Sequence, residues 1–421
     1  MSDQPVKITP ADVLKGETPL VLTAHLEPVA GLDRFQPAGF PEIGHVIYKA
    51  PREDASEESV CIVDSPASMA NHLESVCMRG AHDLDLVEDL VGMPYLRCVT
   101  GALDDNDKLQ ECEVVVTSLT EGHRIASTYF LEGEYLGDGA TVVNRVKALK
   151  DEAKKLKDEA KELEGDAKKE FEKKAKAKDA EAKKFESEAR FQSTLLQKFG
   201  IELSGSSKAH PPAEKWWDVF KTIFQYDPNS LVHGVLFPQW QIKIPRFLTA
   251  HLEAFGASRV DRSGVKFDRL GKTTSGQPIF AVDDTVAQEI QATFILDLSL
   301  MRSFGRNNGE TTVGLNDKQK EFLVALALWK IQSMLASPFR FRSGCHLALK
   351  ENGLKAGKQP AEIDVDIGAA IQRAGFATEP RITDVFWPRE DLYREAKEDE
   401  KQTGNEDAEQ QEDEKVDESE G

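Results

Sequence analysis

Arginine and lysine side chains stand beside phenylalanines at several places in this chain. Cations neutralise phosphates and aromatic rings stack on bases, so the pairing suits contact with nucleic acid. The loop RFQPAGFPEIGH, residues 34–45, sets Arg34 with Phe35 and Phe40 among turn-forming Gly and Pro residues. That mix argues for a shaped surface rather than a plain connector. The densest basic stretch, 244–276, carries Arg246, Arg259, Arg262, Lys266, Arg269 and Lys272, interleaved with Phe247, Phe255 and Phe267. A third segment, FRFRSGCHLAL from Phe339, alternates Phe339 and Phe341 with Arg340 and Arg342. As a strand it would bury rings on one face and show guanidiniums on the other.

Catalytic signatures are scarce. GRNNGETTVG at 305–314 lacks the lysine of a nucleotide-binding loop, and no H-E-x-x-H occurs. The nine histidines are scattered, with no close-spaced metal set. His233 and His251 read as structural, and Cys345, although next to His346, reads as a structural thiol. Asp33, Asp64 and the pair Asp104–Asp105 are the carboxylates that could hold a divalent ion for RNA cleavage, but loop carboxylates more often shape turns. No cofactor or metal is expected.

These groups need elements to position them. PLVLTAHLEPV at 19–29 reads as a central strand, apolar on both faces. SVCIVDS at 59–65 is a second strand that feeds the helix SPASMANHLESVCMR. Ser65 caps that helix, and Pro66 suits its first position because it has no N–H to leave unpaired. Met69, Leu73 and Val76 line one face, leaving Asn71, His72 and Arg79 as polar groups for a ligand. YLRCVT at 95–100 and ECEVVVTSL at 111–119 are further strands, and 122–136 holds a short strand or helix. SLVHGVLFPQW at 230–240 reads as a buried strand and 288–304 as another. Asn316 with Gln319 marks the start of a long helix, apolar nearly all round. A helix at 362–376 and TDVFWP at 383–388 close the ordered part. The fold class is α+β, and the rhythm suits a ferredoxin-like (RRM-like) core with large insertions.

The motifs RFQPAGF and SPASMANHLE, followed by ASRVD at 257–261 and FRFRSGCHLAL, resemble the RAMP-superfamily, Cas-seven-like backbone subunit of type I-U (also called I-G) CRISPR surveillance (Cascade) complexes. The resemblance spans roughly 19–387. It leaves out the charged helical insertion and the acidic tail. RAMP proteins are built on the ferredoxin-like core. The resemblance implies a non-catalytic protein that lines a guide RNA (crRNA) in many copies and leaves its base edges free for target DNA. Arg34, Phe35, Gln36, Phe40, Asn71, His72, Arg259, Arg262, Arg340 and Arg342 are the RNA-binding candidates. Arg34 and Arg259 would grip phosphates, and Phe35 or Phe40 would wedge against bases. The implied partners are other copies of the chain, subunits capping the guide, a large subunit, and a recruited helicase-nuclease. Two other classes stay open: a RAMP-type metal-dependent ribonuclease using Asp33 or Asp64, and an RNA-free protein scaffold.

Composition bounds these readings. The chain has 421 residues, 40% hydrophobic and 30% charged, with a formal net charge of -20. From Glu390 to Gly421 there are 15 acidic and 4 basic residues, a net of -11, so over half of the excess sits in a tail expected to be disordered. Lys/Glu/Ala-rich text from Val146 to Gln197, with Leu149, Leu156 and Leu163 seven apart, reads as a solvated helix or helical hairpin with a thin apolar seam. An RNA-binding arm or a partner-docking coiled coil are its alternatives. The expected organisation is 1–145 as the first part of the core, 146–198 as the helical insertion, 199–388 as the remainder, and 389–421 as the tail. Five cysteines without a close pair, a start without a secretory apolar stretch and no membrane-length apolar run give the expectation of a cytoplasmic protein with reduced thiols and no membrane partner.

Overall fold

Nine strands drawn from both ends of the chain form the principal sheet. This computed structural model describes residues 4–40, 44–104, 106–137, 141–202, 210–260, 283–307, 311–376 and 381–392. The strands are β1 (Val6–Ile8), β2 (Leu20–Pro28), β3 (Ile47–Pro51), β4 (Glu57–Asp64), β5 (Leu248–Phe255), β6 (Glu289–Leu296), β7 (Phe339–Arg342), β8 (Cys345–Ala356) and β9 (Gln359–Ile363). They lie in the order β1-β9-β8-β2-β6-β5-β4-β3, with β7 folded back on β8. Only β1 on β9 is parallel. The helices α1 (Pro66–Ser75) and α2 (Asp317–Leu335) belong to this core. In chain order β2, α1, β5, β6, α2 and β8 read strand, helix, strand, strand, helix, strand, and their strands stand side by side as β8-β2-β6-β5. The class is α+β.

Alternation decides which face of the sheet is covered. Leu22, Ala24 and Leu26 of β2, Leu248 to Ala254 at every second position of β5, and Ile290, Ala292, Phe294 and Leu296 of β6 are buried in one core with α1 and α2. The intervening positions are polar and half-buried: Thr23 and His25, Thr249 and His251, Gln291 and Thr293. On that side His25 Nδ1 lies 2.7 Å from Glu289. Strand β2 is central as expected, but only one of its faces is fully buried, and Val21 stays exposed. One covered face and one wetter face is the usual arrangement of antiparallel sheets.

Helix α2 needs cover on all sides. Phe322, Leu323, Val324, Leu326, Leu328 and Ile331 are all fully buried, each contributing roughly 1.5–3 kcal/mol relative to exposure. Its start carries the full capping box, Asn316 Oδ1 accepting from Gln319 N and Gln319 Oε1 accepting from Asn316 N, both at 3.0 Å.

A second, four-stranded sheet runs Glu134–Tyr135, Ile382–Phe386, Tyr95–Thr100, Glu113–Thr117. Arg97 forks onto Asp384 across it at 2.8 and 2.9 Å. The Lys/Glu-rich segment forms two helices, Val143–Lys161 and Gly165–Ala189, packed as a hairpin. Its seam is built from Val146, Leu149 and Ala182 with Val142 and Phe185, a cluster separate from the main core. Leu156 and Leu163 are only half-buried. Lysines pair with carboxylates of the facing helix, Lys157 with Asp179 at 2.6 Å and Lys178 with Glu152 at 3.1 Å. The segment is thus a helical hairpin with a thin apolar seam. Among the described residues no helix is long and apolar enough to cross a membrane.

Ahead of β2, β1 adds an edge strand to the sheet, and a helix over Pro10–Lys15 follows it. Two expectations need correction. Residues 230–240 do not form one strand. Asn229–His233 is a short helix, Gly234 turns the chain at φ 81, and only Val235–Phe237 is strand. FRFRSGCHLAL is a hairpin, β7 and β8 joined at Ser343–Gly344. The acidic tail from 393 lies outside the described residues.

Candidate nucleic-acid interface

Asp64 ends β4 and precedes the cap of α1. Ser65 Oγ accepts from Ser68 N at 3.2 Å, which sets the helix and turns Ser68 and His72 back towards Asp64. The Asp64 carboxylate is 2% exposed. Oδ1 takes the backbone N–H of Ser65 at 2.9 Å and Arg342 Nη2 at 3.0 Å, while Oδ2 takes Ser68 Oγ at 3.1 Å and His72 Nε2 at 2.9 Å. Burial alone would raise its pKa. The His72 hydrogen bond, the charges of Arg342 and His72, and the Ser68 hydroxyl outweigh burial and hold it below the ordinary carboxylate value. The His72 ring is wedged edge-on against Phe339 and Phe341, with centroids 5.5 and 5.3 Å away.

A three-stranded ribbon carries the other arginines. Arg34–Phe35 pairs with Asp284–Val286, which pairs with Ser258–Val260. Arg34 and Arg259 therefore stand on its two outer strands. Arg34 Nε lies 3.5 Å from Asp284 Oδ2, and Arg259 pairs with Asp283. The two arginine side chains are 56% and 54% exposed, although both carboxylates are largely buried. His45 sits behind them, its Nδ1 3.5 Å from Thr285 Oγ1. Its Nε2 is buried with no partner among the described residues. Burial lowers its pKa, Arg259 and Arg342 push the same way, and Asp283 and Asp284 oppose them.

Backbone contacts join the two clusters. Gln36 N donates to Gly344 O and Ala38 N to Val63 O, both at 2.9 Å, and Arg342 Nη1 donates to Val63 O at 2.8 Å. Gly344 has φ 78, and a Cβ there would lie 2.9 Å from Gln36 Oε1. Segments far apart in sequence, 34–38, 64–72, 258–260 and 339–344, thus meet in one region.

The structure sorts the candidates. Asn71 and Arg340 are exposed, and Arg340 has no ion-pair partner among the described residues. Phe35 is 2% exposed and belongs to the main core, so it cannot wedge against a base. Phe40 pairs with Gly44 through its backbone, but its side chain lies outside the described residues, as do Arg262, Lys266, Phe267, Arg269, Lys272 and Asp105. Phe247 is fully buried, and so is core rather than part of a basic track. FRFR alternates in part: Phe339 and Phe341 both face His72 and Arg340 is exposed, while Arg342, past a register shift, pairs with the buried Asp64. Asp104 shapes a turn, accepting from the N–H groups of Asn106 and Lys108 at 2.9 Å. Cys345 is buried while His346 is exposed, on opposite faces of β8, and burial pushes the Cys345 thiol up to about 12. Among the described residues no group of three or more His, Cys, Asp or Glu could hold a metal. Sequence reasoning did not single out His45, Asp283 or Asp284. Only the pairing of distant strands brings them to the arginines.

The family model described as CRISPR-associated protein GSU0053 matches residues 20–259. The chain belongs to this family. It is therefore a CRISPR-associated protein, in keeping with a subunit of a type I system. No curated protein matches it. The matched stretch opens at β2 and closes on Arg259. It thus contains Arg34, Asp64 and His72, while Arg342 comes from beyond it and completes the cluster around Asp64.

Arg34 and Arg259 are more than half exposed although their carboxylates are largely buried, so a phosphate can reach these arginines. In the Arg342–Asp64 pair both partners are largely buried, and removal of either strands a charge, at about 3–5 kcal/mol. Arg34, Arg259 and Arg340 are the exposed arginines of this region, and Arg342 ties together the elements around them.

Proposed function

We propose that this chain is a non-catalytic subunit of a CRISPR interference complex. It binds the guide RNA through phosphate contacts and oligomerises along it to form the backbone. The observation that carries this reading is the meeting of loop 34–38, the start of α1, the 258–260 strand and β7, with Arg34, Arg259 and Arg340 exposed. Exposed guanidiniums held by backbone geometry suit a protein that grips phosphates and must leave the guide free to pair. The succession of β2, α1, β5, β6, α2 and β8, with strand order β8-β2-β6-β5, supports a ferredoxin-like core of the RAMP kind. The carboxylate of Asp64 is taken up by four donors and Cys345 faces away from His346, which favours cleavage by another protein. Capping subunits, a large subunit and a recruited helicase-nuclease are the partners on this reading.

The test is co-expression with a CRISPR array transcript and its processing partner, followed by sizing, nucleic-acid absorbance and ribonuclease digestion. A large particle with protected RNA, lost in Arg259→Ala or Arg340→Ala, is the expected result. A small species free of nucleic acid, with the other subunits also supplied, would overturn it.

A further inference from the structure

Away from the Arg34 region, the short helix Asn229–His233 and the hairpin of Val235–Phe237 with Ile242–Ile244 open onto a cavity of about 310 Å³. Arg124, His233, Lys243 and Arg246 line it together with His123 and Leu236. Arg124 is held firmly. Its Nε and Nη2 fork onto Glu74 at 2.6 and 2.7 Å, and Nη1 donates to Gly234 O at 3.2 Å. It takes this position at φ 54, an uncommon backbone for a residue other than glycine. Gly234 makes the wall possible, since a Cβ there would lie 2.9 Å from Ile244 O and 3.1 Å from Arg246 N.

Of the acidic groups, Glu74 acts on Arg246 from a distance but is not paired with it. Glu74 is already shared by Arg124 and by Asn229 Nδ2. Lys330, fully buried behind it, is bonded to Asn229 Oδ1. Asp227 accepts from Ser230 Oγ, and burial raises its acid to about 6, which weakens it as a counter-charge. Arg246 and Lys243 have no ion-pair partner among the described residues. His233 is 1% exposed, and neither ring nitrogen has a partner among the described residues. Burial, with Lys330, Arg124 and Arg246 nearby, holds this imidazole neutral, so it keeps one N–H to donate. Buried donors without acceptors are costly, and cations facing one another add to that cost.

We propose that the cavity between Arg124, His233, Lys243 and Arg246 is an anion site that takes the phosphate of a nucleotide unit. A phosphate brings several acceptor oxygens and the negative charge these donors lack. The volume is at the lower end for ligand sites, enough for more than a bare ion, and Leu236, half exposed at the rim, offers apolar surface to a sugar or base. This site does not rest on the guide-RNA reading of the Arg34 region.

The experiment is calorimetric titration of the full chain, stripped of nucleic acid, with adenosine 5′-monophosphate, inorganic phosphate, adenosine and a short RNA. Wild-type protein should bind phosphate-bearing probes and not adenosine. Arg246→Gln and Lys243→Gln should each weaken binding by about ten-fold, with unchanged Tm, whereas Lys169→Gln on the helical hairpin should leave mononucleotide binding unchanged. Binding by RNA alone would assign the site to a strand phosphodiester, and equal binding by the monophosphate to a free nucleotide or strand end. Absence of binding by every phosphate probe in the millimolar range, or equal affinity in Arg246→Gln, would overturn the proposal. Should both variants unfold, nitrogen-15 histidine spectra of the wild type decide. The His233 ring must shift on adding the monophosphate, and an unmoved signal sinks the idea.

Discussion

Arg342 reaches Asp64 at 3.0 Å and so ties the hairpin of β7 and β8 to the start of α1. The pair links the stretch matched by the family to the part of the chain beyond it. Arg342→Ala should therefore destabilise the fold by about 3–5 kcal/mol, because it leaves a buried carboxylate without its cation. The double variant Asp64→Asn with Arg342→Met should lose less than Arg342→Ala alone. Urea denaturation of the two variants measures the difference.

Asp64 also makes stability fall in acid. Its folded pKa lies below the ordinary 3.8, so its contribution is present above that value and drains away as pH falls through the folded value. Asp64→Asn should flatten this part of the curve. Tm recorded from neutral pH downwards would show it, and an unchanged acid limb would count against the role given to Asp64.

Glu134 acts in the opposite sense. Burial raises its carboxyl from 4.5 to about 7, despite the hydrogen bond it accepts from Val142 N. Its favourable contribution is full below 4.5 and is lost as pH rises through about 7. Glu134→Gln keeps an acceptor for Val142 and should raise Tm at mildly alkaline pH while changing little in acid. Paired melting curves at the two pH values check it.

Arg34→Ala and Arg259→Ala should weaken RNA binding with a smaller fall in Tm than Arg342→Ala, since both side chains are more than half exposed while their carboxylates are largely buried. Each lost phosphate contact should reduce the slope of log affinity against log salt by about 0.7. Filter binding over a salt series reads both quantities. Arg342→Ala should instead lower affinity and Tm together.

The helical hairpin carries its own small apolar cluster. Replacing 143–189 by a short linker should remove helical ellipticity yet keep one cooperative unfolding transition. Collapse of that transition would mean that the hairpin is part of the core.

What could be read from the sequence was local. Ser65 followed by Pro66, and Asn316 followed by Gln319, announce α1 and α2 because caps act over three residues. The charged hairpin declared itself by composition. Features set by distant pairing did not. Val6–Ile8 is a strand only because Ala361–Ile363 lies beside it. Phe35 looked like an exposed ring, but its place in a two-residue strand against Thr285 buries it. The inward turn of Arg342 depends on a bulge that alternation cannot foresee. The candidate site was legible as a set of motifs, while the carboxylates opposite each arginine were not. Arg246 was noted in the basic stretch, yet Arg124 and His233, which share its cavity, carried no signal that would join them to it.

The position of β2 has a consequence for the order of events during synthesis. Its only neighbours in the sheet are β6 and β8. A ribosome releasing this chain must deliver β2, hold it unpaired until β6 emerges more than 250 residues later, and supply β8 later still. The Arg34 loop that follows β2 stays unshaped for the same interval, because its backbone partner Gly344 emerges just before β8. A nascent chain that has not yet released β8 cannot present the assembled surface.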